Sequence, residues 1–317
     1  MGTATALMDG KVAALVKVSA AVWAAMSYAR LAAARLRPGA PRLLALLPVV
    51  ALLCAIPFAF STSTFRGTSG FFLAWLGSFK LLLLAAGIGP LDPSLRLSHF
   101  VCSASLPVKL RRQSKEKSQD PVRGPARILL SGAVIPGVIY AYQFKSSMSS
   151  SVGMEPQVDR PYLALSLRDF WGRRWNLMVP SILRPSVFRP VRARLGAAAG
   201  VLAAFLVSGL MHELMFYYIM WSAPSGEVTA FFLLHGACAA AEGWWASHAW
   251  WWRPPRAAAV PLTLAFVAGT GFWLFFPAMV KGGLDEMVLR ECQGMVVLME
   301  QAARRLAGAT DLVSSTM

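Results

Sequence analysis

The string FLVSGLMHELMFYYIMW, Phe205 to Trp221, sets His212 and Glu213 side by side in a run that is otherwise almost wholly apolar. An imidazole held away from water favours its neutral form, which is the form that accepts a proton. A charged side chain near the bilayer centre costs roughly 2.5–3.5 kcal/mol on the lenient insertion scale, so such residues mark pathways and reaction sites more often than structural joints. A zinc protease reading fails, because HELMF carries Phe216 where a second histidine would have to stand. The chain has no GxSxG elbow, Walker loop or GxGxxG string. What remains is a histidine that takes a proton directly from a hydroxyl, with a lipid alcohol as the natural substrate in an apolar chamber.

A second string, LRDFWGRRWNLMVPSILRP from Leu167 to Pro185, mixes Trp, Arg and Asn. Read as a helix from Asp169 that stops before Pro180, it puts Asp169, Gly172, Arg173 and Asn176 on one strip, with Trp171, Trp175 and Met178 opposite. That pattern describes an amphipathic helix lying in the membrane interface, either as a plain Trp/Arg anchor or as a dock for phosphates with Asn176 turned inward.

The elements that position these groups follow from composition. With 56% hydrophobic and 15% charged residues in 317 and a mean hydropathy of +0.53, the chain is all-α and polytopic. Seven apolar runs qualify as spans: Val12–Ala29, Arg42 to Arg66, Gly67–Leu91 around Lys80, Ile128–Phe144, Arg194 to Glu227 around Glu213, Val228–Trp252 around Glu242, and Arg256 to Lys281. A hairpin turn near Pro224 and Ser225 places His212 about 12 residues before it and His235 about 10 after, so their depths differ by only ~3 Å. His235 and Glu242 share a helix face, as do Ser208 and His212. Lys80 is expected to snorkel, and His99 and His248 to sit at span ends. Cys54, Cys102, Cys238 and Cys292 are far apart and form no metal knuckle.

The net charge of +16 concentrates in two loops, Pro107–Arg127 and Arg160–Arg194, which the positive-inside rule places in the cytosol together with Arg30–Arg42 and the pair Arg253 and Arg256. One short span between the two loops would put them on opposite sides. Either that segment, Ile128–Phe144, dips in and returns, or a crossing is missing near the Ser-rich linker KSSMSSSVGMEPQ, Lys145–Gln157. The chain divides into N-terminal spans (11–145), that linker (146–159), a core (160–281) and a tail (282–317) within one membrane domain.

DFWGRRWN, then SGLMHE and FFLLHG, together with RLLALLPVV, FFLAWLGSFKLLL and GFWLFFP, resemble the plant wax synthases, a branch of the membrane-bound O-acyltransferases. The resemblance implies transfer of a fatty acyl group from acyl-CoA to a long-chain alcohol in the endoplasmic reticulum membrane, with acyl-CoA as co-substrate and no metal or other cofactor. It carries the catalytic histidine onto His212 and the motif asparagine onto Asn176. Arg173, Arg174 and Trp175 become candidate substrate contacts, with Glu213 and His235 in support. The polybasic face then meets a polyanionic substrate, with no role for nucleic acid. Three alternatives stay open: a sterol or other lipid alcohol as acceptor, an inactive paralogue lacking the span replaced by Lys145–Gly153, and a transporter using the same His and Glu as a proton relay.

Overall fold

The structure, a computed structural model, describes residues 2–106, 158–247, 254–287, 289–291 and 293. Helices account for the regular structure, and no strand occurs among the described residues. In chain order they are α1 (Gly2–Arg35), α2 (Ala40–Ala55), α3 (Ser63–Ala85), α4 (Leu97–Ser105), the short α5 (Leu167–Asp169, continued as a π-helical turn over Phe170–Arg174), α6 (Met178–Leu183), α7 (Arg189–Met220), α8 (Glu227–Ala246) and α9 (Arg256–Lys281). Five described segments are long and apolar enough to cross a membrane: Gly10–Arg35, Ala40–Ala59, Ser63–Ala85, Met178–Met220 and Arg256–Lys281. Helix α8, the run expected at Val228–Trp252, pairs with α7 across the turn at Ser222–Gly226. The expected span Ile128–Phe144, the Ser-rich linker, His248 and Cys292 lie outside the described residues.

Two apolar cores organise the bundle. Val22, Met26, Leu46, Leu53, Leu81 and Phe100, all fully buried, draw α1, α2, α3 and α4 together. Phe216, Met220, Val228, Phe231, Phe232 and Ala278 join α7, α8 and α9. Leu76 and Leu83 of α3 pack on Met178 and Ile182 of α6, which ties the motif segment to the first group of helices.

Helix α7 is interrupted at Gly196, whose φ of 87° no other residue type adopts comfortably. The break separates the arginine-rich start of α7 from residues 197–220, a span of about 36 Å. The crossing of α7 and α8 depends on two further glycines. A Cβ on Gly209 would stand 2.9 Å from Thr229 Cα, and one on Gly236 would stand 2.8 Å from Phe205 Cβ, so the two backbones meet only because both side chains are absent.

Lys80 corrects an expectation. It does not snorkel but is 1% exposed, and its Nζ donates to the carbonyls of Ser103 and Leu106, both at 2.6 Å, at the C-terminal end of α4. Burial puts both groups out of contact with solvent, so the last carbonyls of α4 have the ammonium as their partner, and the ammonium has the helix's negative end. Replacing Lys80 by Ala orphans both carbonyls at ~1–3 kcal/mol each. The expected result is an apparent Tm at least ~3 °C lower for the purified protein in detergent, and an unchanged Tm would show that the pairing contributes nothing.

Candidate active site

The motif segment folds differently from the continuous helix expected. Ser166 caps α5 through its Oγ, which accepts from Asp169 N at 3.1 Å. The helix ends at Trp175, which is extended, and Asn176 takes a left-handed conformation with φ of 43°. Asparagine tolerates that region better than most residues. The chain then restarts as α6, with Pro180 inside its first turn rather than beyond a stop. The break has a chemical consequence. Trp171, Gly172, Trp175 and Asn176 all line one cavity, so the expected division into a polar strip and an opposite Trp face does not hold.

That cavity has a volume of about 240 Å³. Its long wall is a stripe on α7, Val201, Ala204, Phe205, Ser208 and His212, twelve residues from end to end or about 16 Å of helix. Leu183, Arg184 and Phe188 also line it, Phe188 lying against Gly200 of α7, and Phe232 and Ala239 of α8 close the side.

His212 is held at the inner end. Its Nδ1 lies 2.7 Å from the Ser208 carbonyl oxygen. A carbonyl can only accept, so in the neutral ring Nδ1 carries the proton and Nε2 keeps its lone pair. Among the described residues nothing bonds Nε2. Three aromatic rings fix the imidazole plane: Phe232 stacked at 4.4 Å, Trp75 edge-on at 5.0 Å and Phe275 edge-on at 6.0 Å. Trp75 and Phe275 come from π-helical turns in α3 and α9, the local widening that recurs at functional sites. Asn176 shares the cavity, and no described group bonds its side-chain amide.

The other sequence candidates take different places. Glu213 does not touch His212. It is 6% exposed, and its Oε1 accepts from Thr229 N at 3.1 Å. The N-cap of α8 is Gly226, which has no side chain to offer, so a carboxylate from the neighbouring helix fills that role. His235, fully buried, lies behind the cavity wall and bonds Trp171. Glu242 does share its face: the two oxygens accept from Leu167 N at 2.9 Å and Arg168 N at 3.0 Å, capping α5.

Arg173 and Arg174 do not line the cavity. Both bind Asp169, at 3.2 Å and 2.6 Å. Burial pushes the Asp169 carboxyl up, but hydrogen bonds from Arg174 and from Leu165 N, with the charge of both arginines, more than reverse this and hold it below the usual Asp range. The arginines that do reach the cavity are Arg168 and Arg184, the latter fixed by donating to Gly172 O at 2.9 Å. Sequence reasoning missed both, as it missed Trp75 and Thr270. The signal for Arg184 was its position just past the asparagine in the same basic loop, which a break at Asn176 folds back.

A family model described as the membrane bound O-acyl transferase family matches residues 154–234. "Probable long-chain-alcohol O-fatty-acyltransferase 1" from Arabidopsis thaliana is 36% identical, covering 90% of this chain and 96% of its own. "Long-chain-alcohol O-fatty-acyltransferase" from Simmondsia chinensis is 36% identical, covering 80% and 85%. "Probable long-chain-alcohol O-fatty-acyltransferase 3" from Arabidopsis thaliana is 35% identical, covering 84% and 89%. No solved structure matches the chain. The protein belongs to the membrane-bound O-acyltransferases, and is an integral membrane acyltransferase of the wax synthase type. Membership in an enzyme family sets aside the transporter reading of His212 and Glu213.

The helix-capping position of Glu213 separates its charge from its acceptor oxygen. Glu213→Gln keeps an acceptor for Thr229 N and is expected to unfold within about 1 kcal/mol of wild type, whereas Glu213→Ala orphans that N–H at ~1–3 kcal/mol. Thermal unfolding of the two purified variants checks this, and equal loss in both would assign the role to the charge.

Proposed function

We propose that this enzyme transfers a fatty acyl group from acyl-CoA to the hydroxyl of a long-chain alcohol, giving a wax ester and free CoA. The observation that supports it most is the free Nε2 of His212, turned loose in a chamber that also presents the Asn176 amide and two arginines. The names of the Arabidopsis and Simmondsia relatives supply the acceptor class. The endoplasmic reticulum is the membrane that the wax-synthase resemblance implies.

In this reading the alcohol oxygen attacks the thioester carbonyl while Nε2 takes its proton. The tetrahedral oxyanion receives the Asn176 N–H, a contribution worth about 2.7–4 kcal/mol in well-studied oxyanion sites. Collapse breaks the C–S bond, and the imidazolium returns the proton to the leaving sulfur. One proton moves from oxygen to sulfur through the ring, and no acyl-enzyme forms. Arg168 and Arg184, free of carboxylate partners among the described residues, meet the CoA phosphates at the cavity mouth, the role first assigned to Arg173 and Arg174.

Microsomes expressing the full chain are supplied with labelled acyl-CoA and either a fatty alcohol or a sterol. Wax ester is the expected product. His212→Ala is expected to abolish it with expression retained, and Asn176→Ala to lower turnover ~10²–10³-fold. Turnover retained in His212→Ala, or sterol ester as the sole product, would overturn the proposal.

A further inference from the structure

His235 is the buried titratable group that this mechanism leaves unused. Its hydrogen bonds run in one direction only. The Trp171 indole Nε1–H donates to His235 Nδ1 at 3.0 Å, so Nδ1 is bare and Nε2 carries the proton. Nε2–H then donates to Thr270 Oγ1 at 2.8 Å, and the Thr270 hydroxyl donates to the Phe266 carbonyl at 2.6 Å. An indole can only donate and a carbonyl can only accept, so the chain cannot reverse. It ties the motif segment through α8 to α9.

What it fixes is a wall. Trp171 lines the cavity and is packed by Phe232 at 5.6 Å, Phe205 at 6.1 Å and Phe231 at 6.2 Å, with the His235 ring edge-on at 5.6 Å behind it. Phe205 and Phe232 place it part-way along the stripe that leads to His212. A side chain held by a bond to a fully buried histidine cannot swing aside for a wide substrate without orphaning both groups.

We propose that Trp171 is the width gauge of the substrate slot, and that its lock on His235 and Thr270 admits straight polymethylene chains while refusing fused-ring alcohols. The inference rests on the O-acyltransferase reading and names the residue that selects the acceptor within it. His235 and Thr270 act through Trp171 and are positioning residues.

The test compares the full chain with Trp171→Ala, Trp171→Phe, Thr270→Val and Thr270→Ser. Two readouts are used: the ratio of sterol ester to wax ester in microsomes, and the thermal stabilisation of purified protein by a linear alcohol or a sterol. Trp171→Ala is expected to raise the product ratio at least tenfold and to gain stabilisation by sterol. Trp171→Phe keeps a ring without the bond and falls between. Thr270→Val, remote from the cavity, raises the ratio in the same direction, and Thr270→Ser restores it. An unchanged ratio in an active Trp171→Ala, or wild type stabilised equally by both alcohols, overturns the gauge. Should Trp171→Ala turn over neither acceptor, the stabilisation readout decides. A wild type that binds linear alcohol but esterifies nothing would instead sink the proposed function.

Discussion

A helix end packed against other helices leaves its first N–H groups and last carbonyls in need of partners, and this protein answers with charged side chains from neighbouring segments. Glu213 caps α8, Glu242 caps α5, and Glu291 reaches back to the start of α3, where its two oxygens accept from Ser63 and Thr64. At the opposite ends, Lys80 closes α4, Arg66 donates to Ile219 O near the end of α7 at 2.8 Å, and Arg42 takes the carbonyls of Leu36 and Leu84. Acids meet helix N-termini and bases meet C-termini, the sense that the helix dipole rewards. Charges that would be costly alone thereby become the joints of the bundle.

This commitment is what sets His212 apart. Glu213 stands next to His212 in sequence, yet it is engaged one helix away. His235 is occupied at both ring nitrogens, one as acceptor and one as donor. Among the described residues, only at His212 does a backbone carbonyl take the proton-bearing nitrogen and leave the other open to the cavity. His212 and His235 carry opposite tautomers, each set by its partner: one ring keeps an open nitrogen, and the other is engaged at both.

Much of the fold was legible in the sequence. The apolar runs marked the helices of α2, α3, α7 and α9, and the hairpin arithmetic brought His212 and His235 to neighbouring depth beside Phe232 and Phe231. SGLMHE can now be read residue by residue: Ser208 supplies the carbonyl, Gly209 the close approach, His212 the ring and Glu213 the cap. What escaped the sequence was the end of α5. Helical periodicity assumes unbroken dihedrals, and a left-handed Asn176 followed by a new helix rotates every later side chain. That break brings Arg184 back onto Gly172 and into the cavity, while Arg173 and Arg174 stay on Asp169. Lys80 escaped for a related reason: snorkelling assumes water as the best partner, and a helix end proved nearer.

The assignment rests on which nitrogen of His212 bears the proton. Nitrogen-15 solid-state spectra of the histidine-labelled protein in lipid, assigned with His212→Gln and His235→Gln, read that directly, since protonated and bare ring nitrogens have well-separated shifts. The expected result is Nδ1–H with a bare Nε2 at His212, and the reverse tautomer at His235. A proton on Nε2 of His212 would contradict the general-base assignment, because the nitrogen facing the substrate would have no lone pair to offer.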